Sequence, residues 1–271
     1  MKTDSAKYGK RWQIERKRVQ REIAAGRGVC ELCGWPIASG DHCVFKTVNG
    51  GRTWRTFDIG DGNTVWALAI GAQNPAIVYA GTSDGVRKST NAGLGWRSAA
   101  SPQAQADDRN MNAVVVDPRT SATVYVAGSG GIFTSTDGGR RWRVSEGLPA
   151  YAIAIDPKRP ATVYAGGEDG ILQSADGGRH WLPGTYGTDR GGAPRALAVD
   201  PAKTANIYAG ASGLFKSADG GGSWQAGGLA NRFVRAIATD PKRPTSIYAG
   251  TRGHGIFKST DGAHTWRAVS K

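Results

Sequence analysis

Three carboxylates (Asp84, Glu168, Asp169), three arginines (Arg109, Arg190, Arg252) and His254 occupy equivalent loop positions along this chain. Two carboxylates facing each other across a funnel can act as acid and base on a glycosidic bond, and Asp84 and Asp169 are the candidates for that pair. The arginines suit a different task, which is holding an anionic partner. Charged loop residues are most often plain solvated surface, so the elements that place them decide the matter.

A second group with chemistry sits near the N-terminus. Cys30 and Cys33 form a Cys-x-x-Cys pair, half the ligand set of a structural zinc site, and His42 and Cys43 follow. An adjacent His and Cys rarely close on one ion, so zinc at Cys30 and Cys33 is the one cofactor to consider. None of the three cysteines lies within a complete repeat, so no disulfide framework holds the remainder together.

The positioning elements are repeats. The phrase KTVNGGRTW (46–54) recurs as KSTNAGLGW, TSTDGGRRW, QSADGGRHW, KSADGGGSW and KSTDGAHTW, ending on Trp54, Trp96, Trp142, Trp181, Trp224 and Trp266 at spacings of 42, 46, 39, 43 and 42. A period near forty with strand-like runs is the mark of a propeller or solenoid. Each unit opens on an alternating run such as RALAVDP (195–201), whose period of two predicts a strand with one face buried. A second run, such as IVYAGT (77–82), carries Tyr and small residues suited to an inner layer. A third, such as GIFKST (255–260), turns through Asp-Gly into a fourth that opens on the Trp. Four antiparallel strands per unit make one propeller blade. The Asp of the turn can accept backbone N–H groups of its own loop, Gly supplies positive φ, and the Trp covers apolar surface.

This pattern, [ST]-x-D-G-G-x-x-W, resembles the Asp-box or BNR repeat of sialidases, xyloglucanase-type glycoside hydrolases, sortilin-like receptors and the photosystem II assembly factor. The longer phrase through Y-A-G-T and G-I-F-K-S-T-D-G-G is most similar to the last of these and to the xyloglucanase type. The resemblance spans residues 44–271. It implies a structural role for Asp137, Trp142, Asp176, Trp181, Asp219, Trp224, Asp261 and Trp266, on the face away from the binding site. Asn49 and Asn91 depart from the pattern, keeping the turn while weakening its hydrogen bonds. Sialidases also need an arginine cluster, a Tyr–Glu pair and an F-R-I-P phrase, and that phrase is missing. Xyloglucanase-type enzymes build their cleft between two propellers, and this chain is long enough for one.

Residues 1–43 differ from the rest. Trp12, Val19 and Ile23 share one face of a basic helix expected over 9–25. The order Y-G-x-x-W, then C-x-x-C-G-x-P-I, then Asp41-His42 resembles the opening of a phage-type HNH endonuclease. The second Cys-x-x-Cys pair and the closing Asn and His of that family are missing, so nuclease chemistry is not expected. The expected architecture is all-β, a propeller of about six blades made of five complete units and a half blade, behind a short basic segment. Unpaired blade edges invite self-association.

The net charge is +13, of which +4 falls in residues 1–43, and this favours a polyanionic partner such as an acidic glycan or nucleic acid. No apolar run approaches the roughly 18 residues that cross a bilayer, and the N-terminus lacks the apolar core of a signal peptide. A cytoplasmic protein is therefore expected, or an extracytoplasmic one if this N-terminus is not native. The leading reading is a non-catalytic scaffold docking a protein or polyanion on its loop face. A glycoside hydrolase ranks second, and a nucleic-acid-binding HNH remnant third.

Overall fold

The computed structural model describes residues 43–46, 55–59, 64–99, 110–186 and 191–270. The expected helix, Cys30, Cys33, Asn49, Trp54, Arg109 and Arg190 lie outside these residues. What is described is all β.

A half blade comprises β1 (Cys43–Lys46) and β2 (Arg55–Asp58). Blade 1 holds β3 (Val65–Ile70), β4 (Val78–Thr82), β5 (Gly85–Ser89) and β6 (Arg97–Ser98), and blade 2 holds β7 (Met111–Val116), β8 (Val124–Gly128), β9 (Gly131–Ser135) and β10 (Arg143–Glu146). Blade 3 holds β11 (Ala150–Ile155), β12 (Val163–Gly167), β13 (Gly170–Ser174) and β14 (Leu182–Pro183). Blade 4 is β15 (Ala196–Val199), β16 (Ile207–Gly210), β17 (Leu214–Ser217) and β18 (Gln225–Ala226). Blade 5 is β19 (Val234–Thr239), β20 (Ile247–Thr251), β21 (Gly255–Ser259) and β22 (Arg267–Ser270). Every blade is an antiparallel meander paired in chain order.

Neighbouring blades meet through their first two strands, and the inner strands follow one another round a ring as β3, β7, β11, β15 and β19. This is a β-propeller with five complete blades. The second strands pair a Tyr with small residues, Tyr-Ala-Gly in blades 1, 3, 4 and 5 and Tyr-Val-Ala-Gly in blade 2. Tyr79, Tyr125, Tyr164 and Tyr208 are no more than 3% exposed. The Tyr79 hydroxyl donates to the Ser121 carbonyl of blade 2 at 3.0 Å. A Cβ on Gly81 would stand 2.5 Å from the Met111 carbonyl oxygen, so only glycine permits this approach. Val114, Val126 and Phe133 of blade 2 pack on Tyr79 and Ala67 of blade 1. Each such side chain taken out of water contributes about 1.5–3 kcal/mol.

The fourth strands of blades 1, 3 and 4 are two exposed residues each. Edges this short, one of them carrying Pro183, discourage edge-to-edge pairing. In the half blade, the pairing of Lys46 with Arg55 repeats that of Lys258 with Arg267, so β1 and β2 are the third and fourth strands that the sequence predicts. Ile59, just after β2, is buried against Val65 and Ala80. Among the described residues nothing supplies the first two strands of that blade, and no comparable contact joins β19 back to β3.

Candidate functional site

The most repeated motif is structural. In blade 2, Ser135 Oγ donates to Asp137 Oδ1 at 2.9 Å and accepts the Gly139 N–H at 2.8 Å. The same carboxylate oxygen accepts the Arg140 and Arg141 N–H groups at 3.0 and 2.9 Å. Asp176 and Asp261 repeat this arrangement, and Asp219 accepts the Ser223 N–H and hydroxyl. Every donor stabilises the ionised carboxylate. The Ser223 hydroxyl and N–H pull Asp219 down to about 2, and Thr265 and His180 hold Asp261 and Asp176 well below the usual range. The hydrogen bonds that these four carboxylates accept come from their own turns. The tryptophans close the joint: Trp142 Nε1 donates to the Ala99 carbonyl at 2.8 Å, and Trp266 Nε1 to the Gly227 carbonyl at 2.7 Å, each on the preceding blade. Trp224 is 5% exposed, and Trp181 packs half-buried on the blade 2–3 core.

The opposite ends of the strands form a mouth. Here the inner strands of blades 1, 2, 3 and 5 each carry a register shift after their first residue, at Val65/Ala67, Met111/Ala113, Ala150/Ala152 and Val234/Ala236. A bulge leaves one residue unpaired and turns its side chain aside. The bulged residues are Trp66, Asn112, Tyr151 and Arg235, and Arg195 holds the same place ahead of β15. Trp66, Asn112 and Tyr151 each meet a residue of the following blade. Trp66 Nε1 donates to Asn110 Oδ1 at 3.2 Å, and Asn112 Nδ2 to the Ala150 carbonyl at 3.0 Å. The Arg195 guanidinium lies 3.8 Å from the centre of the Tyr151 ring.

Tyr151 and three arginines set the electrostatics of this mouth. The Tyr151 hydroxyl donates to Glu168 Oε1 at 2.5 Å, and this bond, then burial, raises the phenol pKa. Burial and the charges of Arg195 and Arg252 lower the pKa of Arg235. Arg195, Arg235 and Arg252 are exposed, and among the described residues none has an ion-pair partner. The patch is a cationic surface on blades 4 and 5 that ends at a Tyr–Glu pair on blade 3.

The residues expected at the site divide clearly. Glu168 and Arg252 belong to this patch, and His254 stands beside it with Nδ1 3.1 Å from the Arg252 carbonyl oxygen. Asp84 lies at the β4–β5 tip of blade 1, 3.5 Å from Arg87, and Asp169 at the β12–β13 tip of blade 3. Beside Asp169 lies a crevice of about 10 Å³ against Leu148 and Leu172, room for a single water. A shallow hollow of about 480 Å³ lies between Trp96 and Arg140, on the Ser-x-Asp side and away from the arginines. Tyr186 lies on a loop that the repeat places at the mouth, yet it is core, packed edge-on against Phe215 and Trp224 with centroids 5.4 Å apart. Tyr151, Arg195 and Arg235 escape notice as members of a strand. Their signal is a repeat column that reads Trp, Asn, Tyr, Arg, Arg while the next column is Ala throughout. Among the described residues no three His, Cys, Asp or Glu side chains gather to hold a metal, and no helix is long and apolar enough to cross a membrane.

Fold and mouth together define a β-propeller with a charged loop face. No protein-family model matches the chain, and no curated protein matches its sequence. Solved structures do match. The GH74 enzyme of Niastella koreensis is similar at TM-score 0.63 and 20% identity, over 75% of this chain and 38% of its own. YCF48 bound to D1 peptide gives 0.61 and 13%, over 83% and 74%. The nidogen/laminin complex gives 0.59 and 16%, over 79% and 84%. This chain therefore spans little more than a third of the GH74 enzyme. At such identities the likeness is one of fold, shared by an enzyme and by proteins solved with protein partners.

Proposed function

We propose that this chain is a non-catalytic propeller scaffold that docks an acidic protein segment or other polyanion at its mouth. The observation that carries it is the group Arg195, Arg235 and Arg252, three guanidinium groups held together without a carboxylate partner among the described residues. Crowding like charges at a partly desolvated surface costs free energy, and an anionic ligand offsets that cost with charge-assisted, bidentate hydrogen bonds. The net charge of +13 steers such a partner in. YCF48 with D1 peptide and nidogen with laminin illustrate propellers that take protein partners. On this reading residues 44–271 are the working unit, and the Asp-box turns brace it from the far side.

Titration of a fluorescent oligo-glutamate peptide tests the reading. Affinity should fall steeply with salt, and Arg195→Ala, Arg235→Ala and Arg252→Ala should each weaken it about tenfold or more. Absent binding, or binding indifferent to all three changes, refutes it.

One observation favours a second reading, a glycoside hydrolase. Some glycosidases use a tyrosine nucleophile, and Tyr151 already donates to a carboxylate able to take its proton. Turnover of a sialoside or xyloglucan oligosaccharide that disappears in Tyr151→Phe and Glu168→Gln, with thermal midpoints unchanged, would establish it. Asp84→Asn and Asp169→Asn then tell which carboxylate serves as the acid.

A further inference from the structure

The blade joints leave two faces uncovered. On the rear side of blade 1, the side turned away from blade 2, Leu68 is 37% and Ile70 55% exposed. Their equivalents Val114 and Val116 are 5% and 9% exposed, because Ala67, Ala69 and Tyr79 of blade 1 cover them. The second strand of that face is covered, with Val78, Ala80 and Thr82 buried, and Ile59 packs on Val65 and Ala80. The forward face of blade 5 is bare in the complementary sense. Tyr248 is half-buried where its four counterparts are buried. A Cβ on Gly250 would meet nothing nearer than its own sheet's Ala236 at 3.5 Å, whereas one on Gly210 would stand 2.7 Å from Val234 of the next blade.

The half blade adjoins blade 1 through Ile59, and among the described residues it has no first two strands to cover such a face. Among the described residues β1 pairs only with β2, so its other edge is open. Among the described residues the vacancy beside Leu68 and Ile70 is the place that a complete blade fills with its inner hairpin. An open strand edge supplies main-chain hydrogen bonds, and the uncovered side chains select what docks there. Arg87 refines the selection. It occupies the rear-face position that other blades fill with Phe133, Leu172, Phe215 or Phe257, and its Nε is buried without an acceptor.

We propose that this vacancy takes a two-stranded β-hairpin from a partner protein, alternating small and apolar residues, which pairs along β1 and packs on Leu68 and Ile70. Such a hairpin has the chemistry of the repeat's own first two strands, and an acceptor on it opposite Arg87 would satisfy the free Nε. The surface is distinct from the arginine patch, so the two proposals stand or fall separately.

The probe is a synthetic peptide copying residues 235–251 (RAIATDPKRPTSIYAGT), with a scrambled control, titrated into the full chain by fluorescence anisotropy. Saturable binding is expected, together with a rise in thermal midpoint and slower hydrogen exchange in 43–46 and 65–70. Leu68→Lys and Ile70→Lys should weaken binding about tenfold or more. Both should leave the unliganded midpoint nearly unchanged, since these side chains already face water. If either variant misfolds by circular dichroism, the exchange pattern of the wild type decides. No saturable binding, or no added protection in those segments, overturns the proposal. So does sedimentation showing dimers that Leu68→Lys disperses, because a second copy would then be the occupant.

Discussion

Two side chains in the repeated turn are out of keeping with their counterparts, Ala92 at its first glycine position and Ala263 at its second. The residue after the turn's Asp or Asn adopts positive φ in each complete blade, at 58° for Ala92, 75° for Gly138, 73° for Gly177, 75° for Gly220 and 72° for Gly262. In this region an L-residue brings its Cβ against the following carbonyl, at roughly 1–2 kcal/mol. Blade 1 is weaker at the adjacent position too. Beside the Ser hydroxyl common to both turns, Asn91 Oδ1 accepts one backbone N–H, that of Gly95, where Asp137 Oδ1 accepts two and carries a full charge. Ala92→Gly should therefore stabilise the protein by about 1 kcal/mol, read as a higher denaturant midpoint at unchanged slope. A midpoint that stays or falls would mean that Gly loses as much in the unfolded chain as it gains in the turn. Asn91 announces itself in the sequence as a break in a repeated phrase. Asp219's low pKa does not, because it depends on a Ser223 hydroxyl that other copies replace with different residues.

At the scale of the blade, strands were legible and bulges were not. Alternation in RAIATDP locates β19, and the repeated Tyr-Ala-Gly locates β20, because hydrophobic period and small-residue packing are written directly in the letters. The half blade was legible by the same means. The shift between Val234 and Ala236 has no such signature, and it is what turns Arg235 toward Arg195 and Arg252. The Tyr151–Glu168 bond likewise depends on the β11–β12 register, across 17 residues. Glycines in the second strands give a sharp test of how blades meet. Gly210→Ala would drive a Cβ to 2.7 Å from Val234 Cγ1 and 3.0 Å from its carbonyl oxygen, and Gly81→Ala to 2.5 Å from the Met111 carbonyl. Overpacking of this kind costs about 1–3 kcal/mol. Gly250→Ala faces open space and should change stability by less than about 0.5 kcal/mol. Equal losses at Gly210 and Gly250 in urea unfolding would show that blade 5 is covered after all.

The whole ring depends on ionised carboxylates at its Ser-x-Asp side, one in each of blades 2 to 5, and on Asp156 and Asp240 in the turns between first and second strands. Burial of Asp156 works against its charge, yet the N–H groups of Arg159 and Lys158 outweigh that and leave its pKa lowered. For Asp240, the Lys242 N–H leads in the same direction. These groups protonate more readily when unfolded, near the ordinary 3.8, than when folded, at about 2 for Asp219. Between those values the unfolded chain holds more protons, so stability rises with pH there. The contribution is complete above about pH 5 and drains away as pH falls from 4 toward 2. Because adjacent blades share cores, losing the turns in blades 2 to 5 should unfold the ring over a narrow acid range rather than blade by blade. Thermal midpoints at fixed ionic strength should be flat from pH 7 to 5 and fall steeply below pH 4. Asp219→Asn should lower the midpoint at pH 7 and lose less between pH 7 and 3 than the parent does, since it has one fewer carboxylate to protonate. A parent midpoint unchanged at pH 3, or an Asp219→Asn variant with the same acid drop, would mean that these hydrogen bonds persist in the unfolded chain and that blade packing alone sets the stability.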